Sequence, residues 1–286
     1  MTTTTTGTVT SADGTTISYR EVGQGPGLVI VHGAMQTGHT QIELAGALAG
    51  DFTCYLPDRR GRGGSGPAGA DYGLAREIED LEAVLRATGA RYAAGVSSGA
   101  VITLHTALAR PAALSKAVLF EPPLGLDATG VRGALERFDR EIAAGRVPAA
   151  LVTGMRAARL GPPLFNALPR RVQEWLTGLM LRSQDGAAAD GPTFRELAPT
   201  QRHDIQIVAE AFGGFAAYGP VEVETLLLGG GRSQGYLRSA LVELERVMPR
   251  ARRVVMEGLD HGATQNAAQR GRPERVAEEI RRFLKG

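Results

Sequence analysis

Four consecutive aliphatic residues, Leu28-Val29-Ile30-Val31, stand between Gly27 and Gly33. So short and continuous an apolar run, closed off by glycine at both ends, is the pattern of a strand covered on both faces, which belongs to a parallel sheet with helices above and below. Comparable strand-like segments recur at 52–56, 92–96, 116–120, 223–228 and 253–256. Amphipathic stretches at 41–49, 71–88, 100–109, 236–247 and 273–284 read as the helices between and after them. The alternation predicts a doubly wound, mostly parallel α/β sheet. The start differs: residues 8–10 and 17–22 are β-branched and alternating, with the hairpin signal Asp13-Gly14 between them, so the sheet opens with an antiparallel pair.

The rhythm breaks between 124 and 221, where valine- and isoleucine-rich short runs give way to helical patterns at 131–144, 149–159, 169–181 and 205–217. Gly161-Pro162-Pro163 and the 186–192 stretch punctuate them as loops. The expected organisation is a core of 1–123 and 222–286 carrying a helical cap of 124–221. Since an amphipathic helix buries one face, the apolar cap residues, among them Leu124, Leu126, Phe138, Leu164, Leu179, Met180 and Phe212, are expected mostly in the interior, and the lone Trp175 is expected to pack.

Composition excludes several classes. The single cysteine, Cys54, makes no internal disulfide, and neither a CxxC nor an HExxH spacing offers zinc a site. No apolar run approaches the roughly 20 residues that span a bilayer. The threonine-rich start lacks a basic segment and an apolar block, which predicts a cytoplasmic protein. All but two of the 32 basic side chains are arginine, against 30 acidic ones. Their clusters at Arg59-Arg60-Arg62, Arg170-Arg171, Arg250-Arg252-Arg253 and Arg281-Arg282 lack interleaved aromatics, so they read as solvated surface and no nucleic-acid partner is expected. Gly61-Arg62-Gly63-Gly64-Ser65-Gly66 matches a dinucleotide fingerprint, but Pro67 and Gly69 break the chain where a helix would have to start. No cofactor is expected, and association into a homo-oligomer stays open.

Chemistry concentrates at Gly95-Val96-Ser97-Ser98-Gly99, a G-x-S-x-G between a predicted strand and a predicted helix. A serine raised on so sharp a turn needs small residues two positions before and after it. Gly95 and Gly99 meet that need for Ser97, whereas Ser98 would have Val96 and Ala100. In a chain with 38 glycines the same pattern also arises as a helix cap after a glycine turn.

Three further segments accompany it: Val31-His32-Gly33-Ala34 at a strand end, Asp58-Arg59-Arg60-Gly61-Arg62-Gly63-Gly64-Ser65, and Gly258-Leu259-Asp260-His261-Gly262 after the last strand. With the serine turn they resemble the α/β-hydrolase superfamily, specifically serine esterase-like members with a helical cap. The resemblance implies Ser97 as nucleophile, with His261, in its glycine-flanked loop, as the base that takes the serine proton. It implies the amides of Ala34 and Ser98 as donors to the oxyanion, and His32 as a brace for that loop; His39, His105 and His203 read as solvated or packed. The sequence departs from the family at the acid, for Leu228-Gly229-Gly230-Gly231 carries no carboxylate where many members have aspartate. Some members place the acid after the preceding strand, and Glu121 stands there as the expected orienting acid; Asp260 and Glu257 fit less well. The reading is a hydrolase acting on a small, largely apolar ester, thioester or lactone. The alternative, motivated by the missing aspartate, is a hydrolase-like protein that binds a ligand or carries out a non-hydrolytic rearrangement or cyclisation.

Overall fold

A computed structural model describes residues 4–184, 192–211 and 213–286. Eight strands form one sheet: β1 (Thr4–Thr10), β2 (Thr16–Gly23), β3 (Gly27–Val31), β4 (Thr53–Pro57), β5 (Tyr92–Val96), β6 (Lys116–Phe120), β7 (Glu224–Gly230) and β8 (Ala251–Met256), in the spatial order β1-β2-β4-β3-β5-β6-β7-β8. The expected opening hairpin is present, with Thr10 opposite Thr16, and β2 runs antiparallel to β4. From β4 to β8 all neighbours are parallel.

Side-chain alternation along the central strands divides the interior into two layers. Val29 and Val31 face one layer, where α2 (Leu74–Thr88), α3 (Ser98–Ala109) and α10 (Gly235–Val247) supply Leu81, Val84, Ile102, Leu104 and Leu244. Leu28 and Ile30 face the other, built with Leu44 and Leu48 of α1 (Ile42–Leu48) and Val276, Ile280 and Phe283 of α11 (Pro273–Lys285). Burial on both faces is the reason these strands read as continuous apolar runs. The two edge strands are the exceptions: β1 turns threonines outward and β8 carries Arg252 exposed. Among the described residues no helix is long and apolar enough to cross a membrane.

Between β6 and β7 lies a helical insertion: α4 (Ala128–Ala143), α5 (Val147–Ala157), α6 (Pro163–Asn166), α7 (Arg170–Gln184), α8 (Phe194–Leu197) and α9 (Gln201–Glu210). Of the predicted loop at 186–192, residues 186–191 lie outside the described residues, as does Phe212. The helix expected over 205–217 starts four residues early and has ended before Gly214, whose φ of 79° suits glycine. Leu126, Val131, Phe138, Ala150 and Ile205 form a core within the insertion, while Leu124, Ile207 and Tyr218 pack into the main layer.

Two expectations fail. Leu164, Trp175, Leu179 and Met180 are not interior: Trp175 is 60% exposed and Leu164 80%. On α7 the buried ridge is Gln173, Thr177 and Leu181, so Val172, Trp175 and Leu179 are left on the outer side. Gln173 is drawn inward because its amide donates to the Phe165 carbonyl and accepts from Arg156. Nor are Arg59, Arg60 and Arg62 solvated; all three are buried. Each meets carboxylates, Arg60 gripping Asp80 through two hydrogen bonds of 2.7 Å, and pairing is what makes a buried guanidinium tolerable.

Candidate active site

The serine turn forms where β5 gives way to α3 at the carboxyl edge of the sheet. Ser97 takes φ 54°, ψ −119°, a conformation costly for a residue with a Cβ. Its surroundings impose it: a Cβ on Gly95 would strike the Gly99 carbonyl and Ala100, and one on Gly99 would strike the carbonyls of Val31 and His32. The two glycines therefore let α3 start directly against the ends of β5 and β3. Of five non-glycine residues with positive φ among those described, two belong to this site, Ser97 and Glu121, and a third, Met35, directly follows Ala34.

The expected trio comes together. Ser97 Oγ lies 3.2 Å from His261 Nε2, and His261 Nδ1 lies 2.6 Å from Glu121 Oε2. With Nδ1–H donating to the carboxylate, Nε2 is free to accept the Ser97 hydroxyl proton. Glu121 is fully buried, and its second oxygen accepts from the Gly230 amide at 2.7 Å. The glycine run that ends β7 now has a physical reason. A Cβ on Gly229 would press on Leu241 and on the Glu121 carboxylate, and one on Gly230 would collide with the backbone at Leu259 and Asp260. Bare backbone at these positions lets the carboxylate cross from β6 and the histidine loop close over it. Asp260 instead accepts from the Gly262 amide, and Glu257 is exposed.

His32 is fully buried and bridges two loops: Nδ1–H donates to the Gly33 carbonyl at 2.9 Å and Nε2 accepts from the Arg59 amide at 3.1 Å. Burial, with Arg62 and Arg59 nearby, holds its pKa well below the usual value, so the ring is neutral, as an acceptor nitrogen requires. Gly33 approaches so closely that a Cβ there would lie 3.1 Å from the Ser97 Cβ. Ala34 and Ser98, whose amides were the expected oxyanion donors, both border the cavity containing Ser97 and His261. The Ser98 amide opens α3, where backbone N–H groups lack partners within the helix.

An ionic cluster that sequence reasoning missed lies beneath these two amides. Asp204, on α9, accepts from Ser98 Oγ at 2.7 Å, from Arg59 at 2.7 Å and from Arg62. Arg59 also binds Glu77 and the Tyr72 hydroxyl, while Arg62 donates to the Gly33 carbonyl at 3.0 Å. Burial, the largest influence on Asp204, raises its pKa, but Arg62 and Arg59 outweigh it and hold the carboxyl well below the ordinary range. In a trans peptide the Gly33 carbonyl and the Ala34 N–H point opposite ways. Two donors on that oxygen thus set the direction of the Ala34 amide. The only sequence signal was an arginine excess directly after a buried strand.

The cavity has a volume of about 60 Å³ and is walled on the insertion side by apolar residues, including Leu126, Val131, Leu160, Ile205 and Val208. Tyr236 joins them with its hydroxyl donating to the Ala158 carbonyl. No group of three or more metal-ligating side chains occurs among the described residues.

A serine on a strand-to-helix turn, a histidine loop after the last strand and a carboxylate between them, all at the carboxyl edge of a mostly parallel sheet, mark the α/β-hydrolase class. The chain belongs to the alpha/beta hydrolase family, whose family model matches residues 28–279. Among solved structures it is similar to an alpha/beta hydrolase from Sphaerobacter thermophilus DSM 20745, with 30% identity over 95% of this chain and 99% of that one and a TM-score of 0.74. An esterase from Rhodococcus sp. ECU1013 shares the fold at 23% identity, covering 98% of each chain with a TM-score of 0.66. A thermophilic esterase from Thermogutta terrifontis does so at 20% identity, again over 98% of each chain, with a TM-score of 0.68.

Proposed function

We propose that the protein is a serine hydrolase that cleaves a small, largely apolar ester, thioester or lactone through an acyl-enzyme. The observation that carries this reading is the unbroken line of hydrogen bonds from Ser97 through His261 to Glu121 at the edge of an apolar cavity. Ser97 Oγ attacks the carbonyl carbon while its proton passes to His261 Nε2, and the imidazolium is stabilised by the Glu121 carboxylate. Negative charge on the carbonyl oxygen is received by the amides of Ala34 and Ser98, each such donor being worth roughly 3 kcal/mol of transition-state stabilisation. His261 then returns the proton to the leaving group, and a water activated by the same nitrogen hydrolyses the acyl-enzyme. The insertion, as a cap over Ser97, supplies the apolar walls and with them the selection of substrate. The non-hydrolytic alternative drew its motive from the missing acid after β7. With Glu121 bonded to His261, no observation favours it.

Exposure to a small fluorophosphonate followed by intact-mass measurement tests the reading. Wild type is expected to gain one adduct and to hydrolyse short-chain esters, and Ser97→Ala to do neither; ester hydrolysis retained in Ser97→Ala refutes the assignment.

A further inference from the structure

We propose that a groove on the helical insertion, lined by Arg137, Arg156 and Arg159, is the subsite for an anionic end of the substrate, so that the ester hydrolysed at Ser97 carries a carboxylate or a phosphate at the far end of a short apolar chain. The inference rests on the hydrolase reading and narrows its substrate class. The catalytic cavity, at about 60 Å³, is small beside the roughly 300–1,000 Å³ of ordinary ligand sites, so much of a substrate must lie beyond it. The groove, of about 410 Å³, adjoins it: Leu126, Val131 and Ala157 line both. Arg159 stands on the rim between them, for Ala158 and Leu160 line the cavity while Arg159 lines the groove. Its charge is felt at the cavity wall, where burial and Glu121 push the Tyr236 phenol up and Arg159 opposes them.

Hydrogen bonding leaves these guanidinium groups open to a ligand. Arg137 donates from Nε to Glu141 at 2.9 Å, and Arg156 donates from Nε to Gln173 at 3.0 Å. Each is anchored at Nε and keeps its terminal N–H groups, and neither these nor any side-chain N–H of Arg159 has a protein acceptor among the described residues. The fourth arginine on the groove, Arg170, is taken up by Glu141, Thr153 and the Ala149 carbonyl. Asp127, the one carboxylate on its lining, accepts from the Thr129 and Gly130 amides at the start of α4. Arg156 and Arg159 are thus left without a carboxylate partner. The backbone adds a second indication. After α5 the Leu160 amide donates to the Met155 carbonyl and the Arg159 amide to that of Arg156, a helix ending that puts Arg159 at φ 50°, where glycine is the usual residue. A side chain held there against backbone preference, with no ion pair or hydrogen bond to offset the strain, points to a ligand as its partner.

The test is hydrolysis, followed by chromatography at low and high salt, of charged esters of rising chain length, each beside the uncharged ester of equal length. Monomethyl esters of straight-chain dicarboxylic acids place a carboxylate on the acyl side. Acetyl esters of ω-hydroxy acids and of alkanediol monophosphates place a carboxylate or a phosphate on the alcohol side. In at least one series wild type is expected to prefer the charged ester by about ten-fold in kcat/KM at low salt, the order expected of charge-assisted hydrogen bonds, and the series identifies the group that reaches the groove. Added salt is expected to shrink the preference, since charges in an open groove are screened. In Arg159→Gly and Arg137→Gln the ratio is expected to fall several-fold, and in Arg159→Lys to be largely kept. Arg159→Gly is expected to melt at or above the wild-type temperature, because it supplies the residue that φ 50° favours. No preference for any charged ester in a wild type that cleaves the neutral ones, or a preference unchanged in Arg159→Gly, overturns this proposal alone. So does a lowered melting temperature in Arg159→Gly, or an equal loss on charged and neutral esters, either of which makes the arginine structural. A folded wild type that cleaves none of the esters overturns the hydrolase reading, and this proposal with it.

Discussion

Glu121 reaches His261 because the glycine end of β7, Gly229 and Gly230, puts no side chains in its path. Its own backbone contributes: at φ 48° it leaves β6 while its amide still donates to the Leu228 carbonyl, so the strand ladder continues through the residue that turns the carboxylate towards the histidine. In the proposed mechanism the carboxylate keeps the proton on His261 Nδ1, and towards the scaffold it accepts from the Gly230 amide. A glutamine is nearly the same size but presents an NH₂ group where an acceptor is required, favouring the wrong tautomer. Glu121→Gln is therefore expected to fold and to lose about three to four orders of magnitude in kcat, by analogy with removal of the orienting acid in serine proteases. Steady-state kinetics beside a circular-dichroism melt measures both. Turnover within a few-fold of wild type would remove Glu121 from the relay.

At the scale of elements, α9 is tied to the sheet by charge. Asp204 is the one carboxylate shared by Arg59, Arg62 and Ser98 Oγ, and through them it meets both segments whose amides, those of Ala34 and Ser98, are proposed as oxyanion donors. Coupling of this kind makes the position of the insertion and the geometry at Ser97 a single variable. Asp204→Asn leaves two buried guanidinium groups short of a counter-charge. Removing one partner from a buried ion network costs about 3–5 kcal/mol, and urea denaturation is expected to show a loss of that order. If the remaining folded protein is assayed, kcat should fall more than KM rises, since the disturbed amides act on the transition state. A stability unchanged within error would mean that the network is not a tie.

At the scale of the whole molecule, acid sensitivity follows from the same interface. His203 lies against Tyr72, with ring centroids 4.2 Å apart, and burial together with Arg62 pushes its pKa down to about 4. The unfolded chain takes up this proton first, so stability is complete above about 6.5, falls as the pH is lowered towards about 4, and levels off below that. Asp204 acts in the same direction over a lower range: its pKa is also depressed, and the stability it contributes is lost only as the pH falls below the ordinary carboxylate range towards the lowered folded value. Denaturation across this pH range should show the upper limb flattened in His203→Gln and the lower one retained; an unaltered upper limb would contradict the burial of His203. The outer face of α7 gives an independent check, because Trp175 is the only tryptophan and is 60% exposed. Its fluorescence is expected to be red-shifted and readily quenched by acrylamide. A protected, blue-shifted emission would mean that this face is covered in solution.

The sequence alone was sufficient for the alternation of strands and helices, the antiparallel start, the inserted helices and the choice of Ser97, Glu121 and His261, which the structure brings within hydrogen-bond distance. Those features depend on short-range physics: two-sided burial writes continuous apolar strands, and a strained turn beside Ser97 admits only glycine at Gly95 and Gly99. Even Glu121, the expected acid, was legible as a strand-end glutamate, although the reason for its position was not. That reason is the missing bulk at Gly229 and Gly230, which matters only once β6 and β7 lie side by side. The same limit explains the arginines. Arg59, Arg60 and Arg62 read as surface because charge without a visible partner belongs in water; Asp80 and Asp204 become their partners only when α2 and α9 pack against the loop after β4. It explains Trp175 as well, since an amphipathic pattern states that a helix has two faces and not which one the neighbouring helices will cover. Gln201 is the last such case: one glutamine among many in the sequence, its Oε1 is left buried without a hydrogen-bond partner by the packing of α9 on Gly154 of α5.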